Sequence, residues 1–114
     1  MKYEDMVQLI VDTLDDRRGK DITVLNLSGV SESLEYFIIV TGESTPQLRA
    51  LEESVREKLK AEGVLPRGVE GPSDRWILID YGNIIVHVMN REARAFYDLE
   101  GLWADAEVAD FTPA

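Results

Sequence analysis

The stretch "RWILIDYGNIIVHVM", residues 75–89, decides the fold. Two apolar runs flank Gly82-Asn83, a two-residue hairpin signal, because Gly at the first central position suits a type II′ turn and Asn tolerates left-handed geometry. With those two residues as the loop, the register follows. Tyr81 faces Ile84, Asp80 faces Ile85, Ile79 faces Val86, Leu78 faces His87, Ile77 faces Val88 and Trp76 faces Met89. Directly opposed residues point to the same side. One side is therefore Ile77, Ile79, Tyr81, Ile84, Val86 and Val88, a core face. The other is Trp76, Leu78, Asp80, Ile85, His87 and Met89, where an aromatic, a carboxylate and the chain's single histidine sit among aliphatics. Two readings of this second side stand open. Either it faces a partner, with Trp76 as the kind of aromatic that anchors interfaces, or a helix covers it and His87 is a hydrogen-bonded, half-buried residue.

Upstream, "LEYFIIVTG" at residues 34–42 carries Phe37, Ile38, Ile39 and Val40 in one run, as expected of a strand buried on both faces. It is expected to pair with "DITVLNL", residues 21–27. In residues 4–18, Val7, Ile10, Val11 and Leu14 recur at helical spacing, and Gly19 is placed to terminate that helix. The segment "GESTPQLRALEESVREKLKAEG", residues 42–63, has Ser44 or Thr45 as N-cap, Pro46 in the first turn and Gly63 beyond the end. Leu48, Leu51, Val55 and Leu59 form its buried stripe. "EGVLPRGVEGPSD", residues 62–74, reads as a long connection within one domain.

A last helix is predicted from about Asn90, its cap, to Trp103, with Phe96, Leu99 and Trp103 on one face. Tyr97 and Leu102 fall off the tightest stripe, which means either a wide buried stripe or a second contact surface. The tail "ADAEVADFTPA" is acidic and shows little periodicity, so residues 104–114 are expected to be loosely held and flexible. The chain is thus read as an α/β protein of the α+β type, one domain over residues 1–103 followed by the tail.

Composition narrows the function classes. The 114 residues suit one core and not two. No apolar run approaches the roughly 20 residues a membrane-spanning helix needs, and carboxylates interrupt "MKYEDMVQLIVDTLDDRRGK" where a signal or transit peptide would be apolar or basic. A cytoplasmic protein is expected. Cysteine is absent, which excludes disulfides, thiolate metal sites and cysteine nucleophiles. Twelve basic against 22 acidic residues give a net charge of -10, which opposes direct binding to nucleic-acid backbones; the surplus acid either steers the chain toward a basic protein partner or serves solubility alone.

Catalysis finds little support. One histidine cannot build a multi-histidine metal site, and Asp80 and His87 lack a nucleophile motif. Asp80 has no adjacent carboxylate for a metal-dependent phosphoryl enzyme, and Glu52, Glu53 and Glu57 read as a solvated helix face. The Gly42–Ser44 turn between strand and helix is the one alternative, since backbone N–H groups there can bind an anion. That alternative is a nucleotide-binding or nucleotidyl-transferring enzyme, although neither G-x-x-x-x-G-K-[ST] nor G-x-G-x-x-G occurs.

Five motifs are spread over nearly the whole chain: "DDRRGKDITVLNL", "IIVTGES", "GVEG", the hairpin W-x-L-x-D-Y-G-x-x-x-V-H and the closing R-x-F-Y-D-L-E-x-L-W. Together they resemble the ribosomal silencing factor family, also called Iojap-like. The resemblance implies a factor without catalysis or cofactor that binds the large ribosomal subunit through large-subunit ribosomal protein fourteen. On that surface it would block joining of the small subunit and repress translation under nutrient limitation. It further implies a mixed β-sheet packed with helices, similar to nucleotidyltransferases without their catalytic site, and a homodimer when free. Carried over to this sequence, the partner-binding residues are Trp76, Asp80, Tyr81, His87, Arg94, Tyr97, Leu99 and Glu100. Trp76 and Tyr97 are the expected anchors, and Asp80 and Glu100 the expected partners of basic groups. Leu99 and Trp103 have a competing role in the core. The resemblance favours contact for Tyr81, whereas the hairpin register sets it in the core. Where family members commonly carry a basic residue after the TGxSx turn, this chain has Pro46, which suits a first helical turn and removes that charge.

Overall fold

The computed structural model describes residues 1–71 and 73–114. Along the chain run α1 (Tyr3–Asp16), β1 (Lys20–Asn26), β2 (Tyr36–Thr41), α2 (Thr45–Ala61), β3 (Gly68–Glu70), β4 (Trp76–Asp80), β5 (Ile84–Met89), α3 (Arg91–Tyr97), α4 (Leu99–Leu102) and β6 (Glu107–Ala109). The strands form one sheet in the order β3-β4-β5-β2-β1-β6, with β2 and β5 parallel and all other pairs antiparallel. The expected mixed sheet of an α+β domain is therefore what forms.

The hairpin takes the register that Gly82-Asn83 dictates, from Trp76 opposite Met89 to Asp80 opposite Ile85. Gly82 adopts φ +88°, a conformation glycine reaches without steric cost, and Asp80 Oδ1 accepts from its N–H at 2.7 Å. Alternation along the strands then divides the apolar residues between two cores. On one face Ile77, Ile79, Ile84, Val86 and Val88 meet Ile38 and Val40 beneath α1 and α2. On the other, Ile85 and Met89 join Leu25, Phe37, Ile39, Ala93 and Leu99 beneath α3 and α4. β2 is buried along its whole length because it contributes to both.

Helix α2 begins as its sequence signals require: Ser44 caps it by accepting from Gln47 N–H at 3.2 Å, with Pro46 in the first turn. Helix α1 ends differently from the expectation. The left-handed residue is Arg18 (φ 62°), not Gly19, whose N–H closes the helix on the Leu14 carbonyl. Gly19 is needed for space, since a Cβ there would lie 2.6 Å from Val40 Cγ2.

Three expectations need correcting. The connection at 62–74 is not all loop, because Gly68–Glu70 adds an edge strand to β4. The last helix is not continuous, since Asp98 (φ 45°, ψ 59°) breaks it into α3 and α4. The acidic tail is not loosely held. Glu107–Ala109 pairs with Val24–Asn26 of β1, and the Phe111 ring meets Tyr36 edge-on at 5.8 Å. Gln8 Nε2 donates to the Thr112 carbonyl at 2.9 Å, fastening the tail to α1. A lone β1 edge would expose unpaired backbone groups, and the tail covers it.

Candidate functional site

The second sheet face carries most of the residues singled out from the sequence. Helix α3 starts where β5 ends, with Asn90 accepting from Ala93 N–H at 2.7 Å as cap. Its docking is fixed by Arg94, which is nearly buried and uses its donors on three elements. Nε and Nη2 grip both oxygens of Glu100 at 3.1 and 3.2 Å, Nη1 donates to the Asp21 carbonyl at 2.6 Å and Thr41 Oγ1 at 3.0 Å, and Nη2 reaches Thr23 Oγ1 at 3.0 Å. The Asp21 carbonyl is presented by an irregularity in β1, where the register shifts between Lys20 and Thr23 and Asp21 adopts φ 51°. Arg94 and Glu100 are thus a clamp between α3, α4 and the sheet. Glu100, its side chain 38% exposed, is paired with Arg94 within the chain.

His87 lies at the centre of an aromatic run and is only 3% exposed. The Trp76 indole Nε1–H donates to its Nδ1 at 3.2 Å, and Phe37 stands edge-to-face against it with centroids 4.5 Å apart. Burial pushes the imidazole down to about 4, so it is neutral at pH 7, accepting through Nδ1 and protonated at Nε2. Nε2 has no hydrogen-bond partner among the described residues. Direct contact between His87 and a partner is therefore corrected to support of Trp76 from below. Leu99, 9% exposed, is likewise core. Tyr81 is on the opposite face, packed against the first core, which settles the conflict in favour of the hairpin register. Desolvation raises its hydroxyl to about 12. Asp80 closes the hairpin turn at the far end of β4 from Trp76.

What remains at the surface is a compact aromatic corner. Trp76 is half-buried and packs on Tyr97 with centroids 4.7 Å apart, and Tyr97 meets Phe96 edge-on at 5.0 Å. Tyr97 is 47% exposed, Phe96 81% and Leu102 75%. Beside them Trp76, Tyr97, Leu78, Glu70 and Arg75 line an open cleft of about 370 Å³. Two of the eight candidates, Trp76 and Tyr97, meet here. Phe96 was assigned to the helix's buried stripe, but Ala93 is the residue of α3 that faces the sheet, and the break at Asp98 sets Leu99 and Trp103 out of line with Phe96. The off-stripe positions of Tyr97 and Leu102 were the available signal for a second surface.

In the Gly42–Ser44 turn two of the three backbone donors are already used within the chain. Gly42 N–H donates to the Met89 carbonyl at 2.9 Å, Glu43 N–H donates to Gln47 Oε1 at 2.6 Å, and the Ser44 hydroxyl caps α2. Gly42 is there for packing, since a Cβ would lie 2.7 Å from Leu48 Cδ2. Among the described residues, no three His, Asp or Glu side chains are grouped to hold a metal ion.

A family model described as "Ribosomal silencing factor during starvation" matches residues 1–114. The chain belongs to the ribosomal silencing factor family. A ribosomal silencing factor of Chromobacterium violaceum is 40% identical over 104 residues, covering 90% of this chain and 85% of that one. One from Bacillus subtilis is 33% identical over 111 residues, covering 96% and 94%. A crystal structure of a Chromobacterium violaceum protein superposes with a TM-score of 0.88 at 37% identity, covering 100% of this chain and 95% of that one. The resemblance read from the five motifs is upheld, and with it a regulatory class tied to the ribosome. In this ribosomal silencing factor the signature residues divide by role. His87, Arg94, Leu99 and Glu100 build the platform, and Trp76 and Tyr97 stand on it.

Proposed function

We propose that this chain docks on the large ribosomal subunit through large-subunit ribosomal protein fourteen and blocks joining of the small subunit by occupying its approach. Translation then falls when nutrients are limiting. The observation that carries this reading is the exposed corner of Trp76, Tyr97 and Phe96 on a chain of net charge -10. Aromatic anchors next to a cleft supply affinity, and surplus carboxylates steer a basic partner while repelling bare nucleic acid. In this reading the protein acts in the cytoplasm, without catalysis or cofactor, and contacts no nucleic acid sequence-specifically. When free it is a homodimer, with the exposed apolar residues offering a surface to a second copy. A mass held at 12.9 kDa across a concentration series in sedimentation would count against the dimer.

The deciding experiment is a sucrose gradient of separated subunits at magnesium concentrations that favour joining, with and without excess protein. Free subunits should persist, with the protein on the large one; complete joining without co-sedimentation overturns the proposal. Trp76→Ala should weaken binding to isolated large subunits by at least about 1–2 kcal/mol, as truncation of a hot-spot aromatic does, with far-UV circular dichroism unchanged.

A further inference from the structure

The break at Asp98 has no counterpart in the sequence periodicity, and it decides which apolar residues beyond it enter the core. On an unbroken helix each residue turns about 100° from the last. Leu99 would then stand about 240° round from the buried Ala93, facing away from the sheet, while Glu100 would lie over it. The structure has the opposite arrangement. Leu99 is buried, Trp103 meets Phe37 edge-on at 5.7 Å, and Tyr97 closes α3 against Trp76 with Phe96 outside it.

The break is built by one residue and the glycine that makes room for it. Asp98 adopts the left-handed conformation that Asp tolerates better than most side chains. Its N–H ends α3 on the Arg94 carbonyl at 3.0 Å, and its carboxylate accepts from Gly101 N–H at 3.1 Å to start α4. A Cβ on Gly101 would fall on that carboxylate. Any side chain at Gly101 therefore displaces that carboxylate, and replacing the glycine also removes a poor helix former. Both effects push the segment toward one continuous helix.

We infer that Asp98, seated over Gly101, is a positioning residue for the docking corner. It ends α3 immediately after Tyr97, so that Leu99 and Trp103 turn into the second core and hold α3 against the sheet, with Tyr97 kept over Trp76. The role rests on the docking reading above, and the test separates the two. Dissociation constants for isolated large subunits are measured alongside thermal melting, for wild type, Asp98→Asn, Asp98→Ala, Gly101→Ala and the double Ala variant.

Asp98→Asn keeps both an acceptor and a tolerance for left-handed backbone, and should bind within about twofold of wild type. Each Ala variant should weaken binding about tenfold, which is about 1.4 kcal/mol, at temperatures well below its own melting point. The double variant should lose no more than either single, because both disable one device. The Tyr97–Trp76 ring contacts should vanish from the nuclear Overhauser spectra of the Ala variants and persist in Asp98→Asn. Folded Ala variants that bind like wild type, while Trp76→Ala does not, would overturn the positioning role alone. If Asp98→Ala does not fold, Gly101→Ala decides, since it adds one methyl at an exposed position. A wild-type chain that binds no large subunit would remove the docking reading and this role with it.

Discussion

Acidification should destabilise this protein through His87, and the size of the effect follows from burial. The imidazole is 3% exposed, and desolvation is the only cause of its depression from 6.5 to about 4. The folded state thus binds fewer protons than the unfolded state between those values. The stabilisation is fully present above about pH 6.5, and is lost as pH falls toward 4. Linkage with those two values gives a loss of about 2 kcal/mol at pH 5 and about 3 kcal/mol at pH 4. The second proton must enter at Nδ1, where the Trp76 indole N–H points. Two N–H groups cannot share that space, so charging His87 also releases Trp76 from its anchor. The assay is urea unfolding by circular dichroism at pH 7, 5 and 4, for wild type and His87→Asn. Asparagine offers an acceptor to the indole but does not titrate, so the difference between the two pH profiles isolates the imidazole. Parallel profiles would refute this reasoning, as would a folded-state nuclear magnetic resonance titration of His87 near 6.5.

Three further predictions concern the Arg94 clamp and the C-terminal tail. Arg94→Met should cost about 3 kcal/mol in urea unfolding, because it breaks a nearly buried, multiply bonded ion pair; a loss under about 1 kcal/mol would show that the clamp is not needed. Phe111→Ala should cost about 1–2 kcal/mol by lost burial against Tyr36, and deletion of residues 107–114 should lower the unfolding midpoint further and promote concentration-dependent aggregation through the bared β1 edge. A deletion variant as stable and soluble as wild type would mean that the tail does no more than rest on the sheet.

Much of the fold was legible because several local signals agreed. Gly82-Asn83 set the register of β4 and β5 and hence both sheet faces, and Ser44, Pro46 and the Leu48-Leu51-Val55-Leu59 stripe fixed α2. Other parts depended on long-range partners that no local window contains. Strand β3 has three residues and is defined only by pairing with β4, while β6 exists because β1 presents an edge. The site was legible as a set of residues and not as a division of roles. Arg94 could be singled out, but its bond to the Asp21 carbonyl requires a bulge in β1 that periodicity does not reveal. Phe96 was misplaced because Phe96, Leu99 and Trp103 make a good helical stripe, whereas Ala93 is the residue of α3 that faces the sheet and left-handed backbone at Asp98 sets the other two out of line with Phe96.

The two sheet faces are covered unequally, and that asymmetry gives the corner its character. The first face lies beneath helices of 14 and 17 residues, the second beneath helices of 7 and 4. At about 1.5 Å per residue the shorter pair spans only about 10 and 6 Å, against strands about 17–20 Å long, so the β4 end of the second face is left open. An open sheet face ordinarily carries polar side chains. Here it carries Trp76 and Leu78, with Phe96 and Tyr97 at the rim. Burying Phe96 would stabilise the isolated chain by about 1.5–3 kcal/mol. That gain is not taken. In a protein with ten more acidic than basic residues, an apolar corner left open at that cost fits contacts that form outside the chain, which is why the docking reading places the partner there.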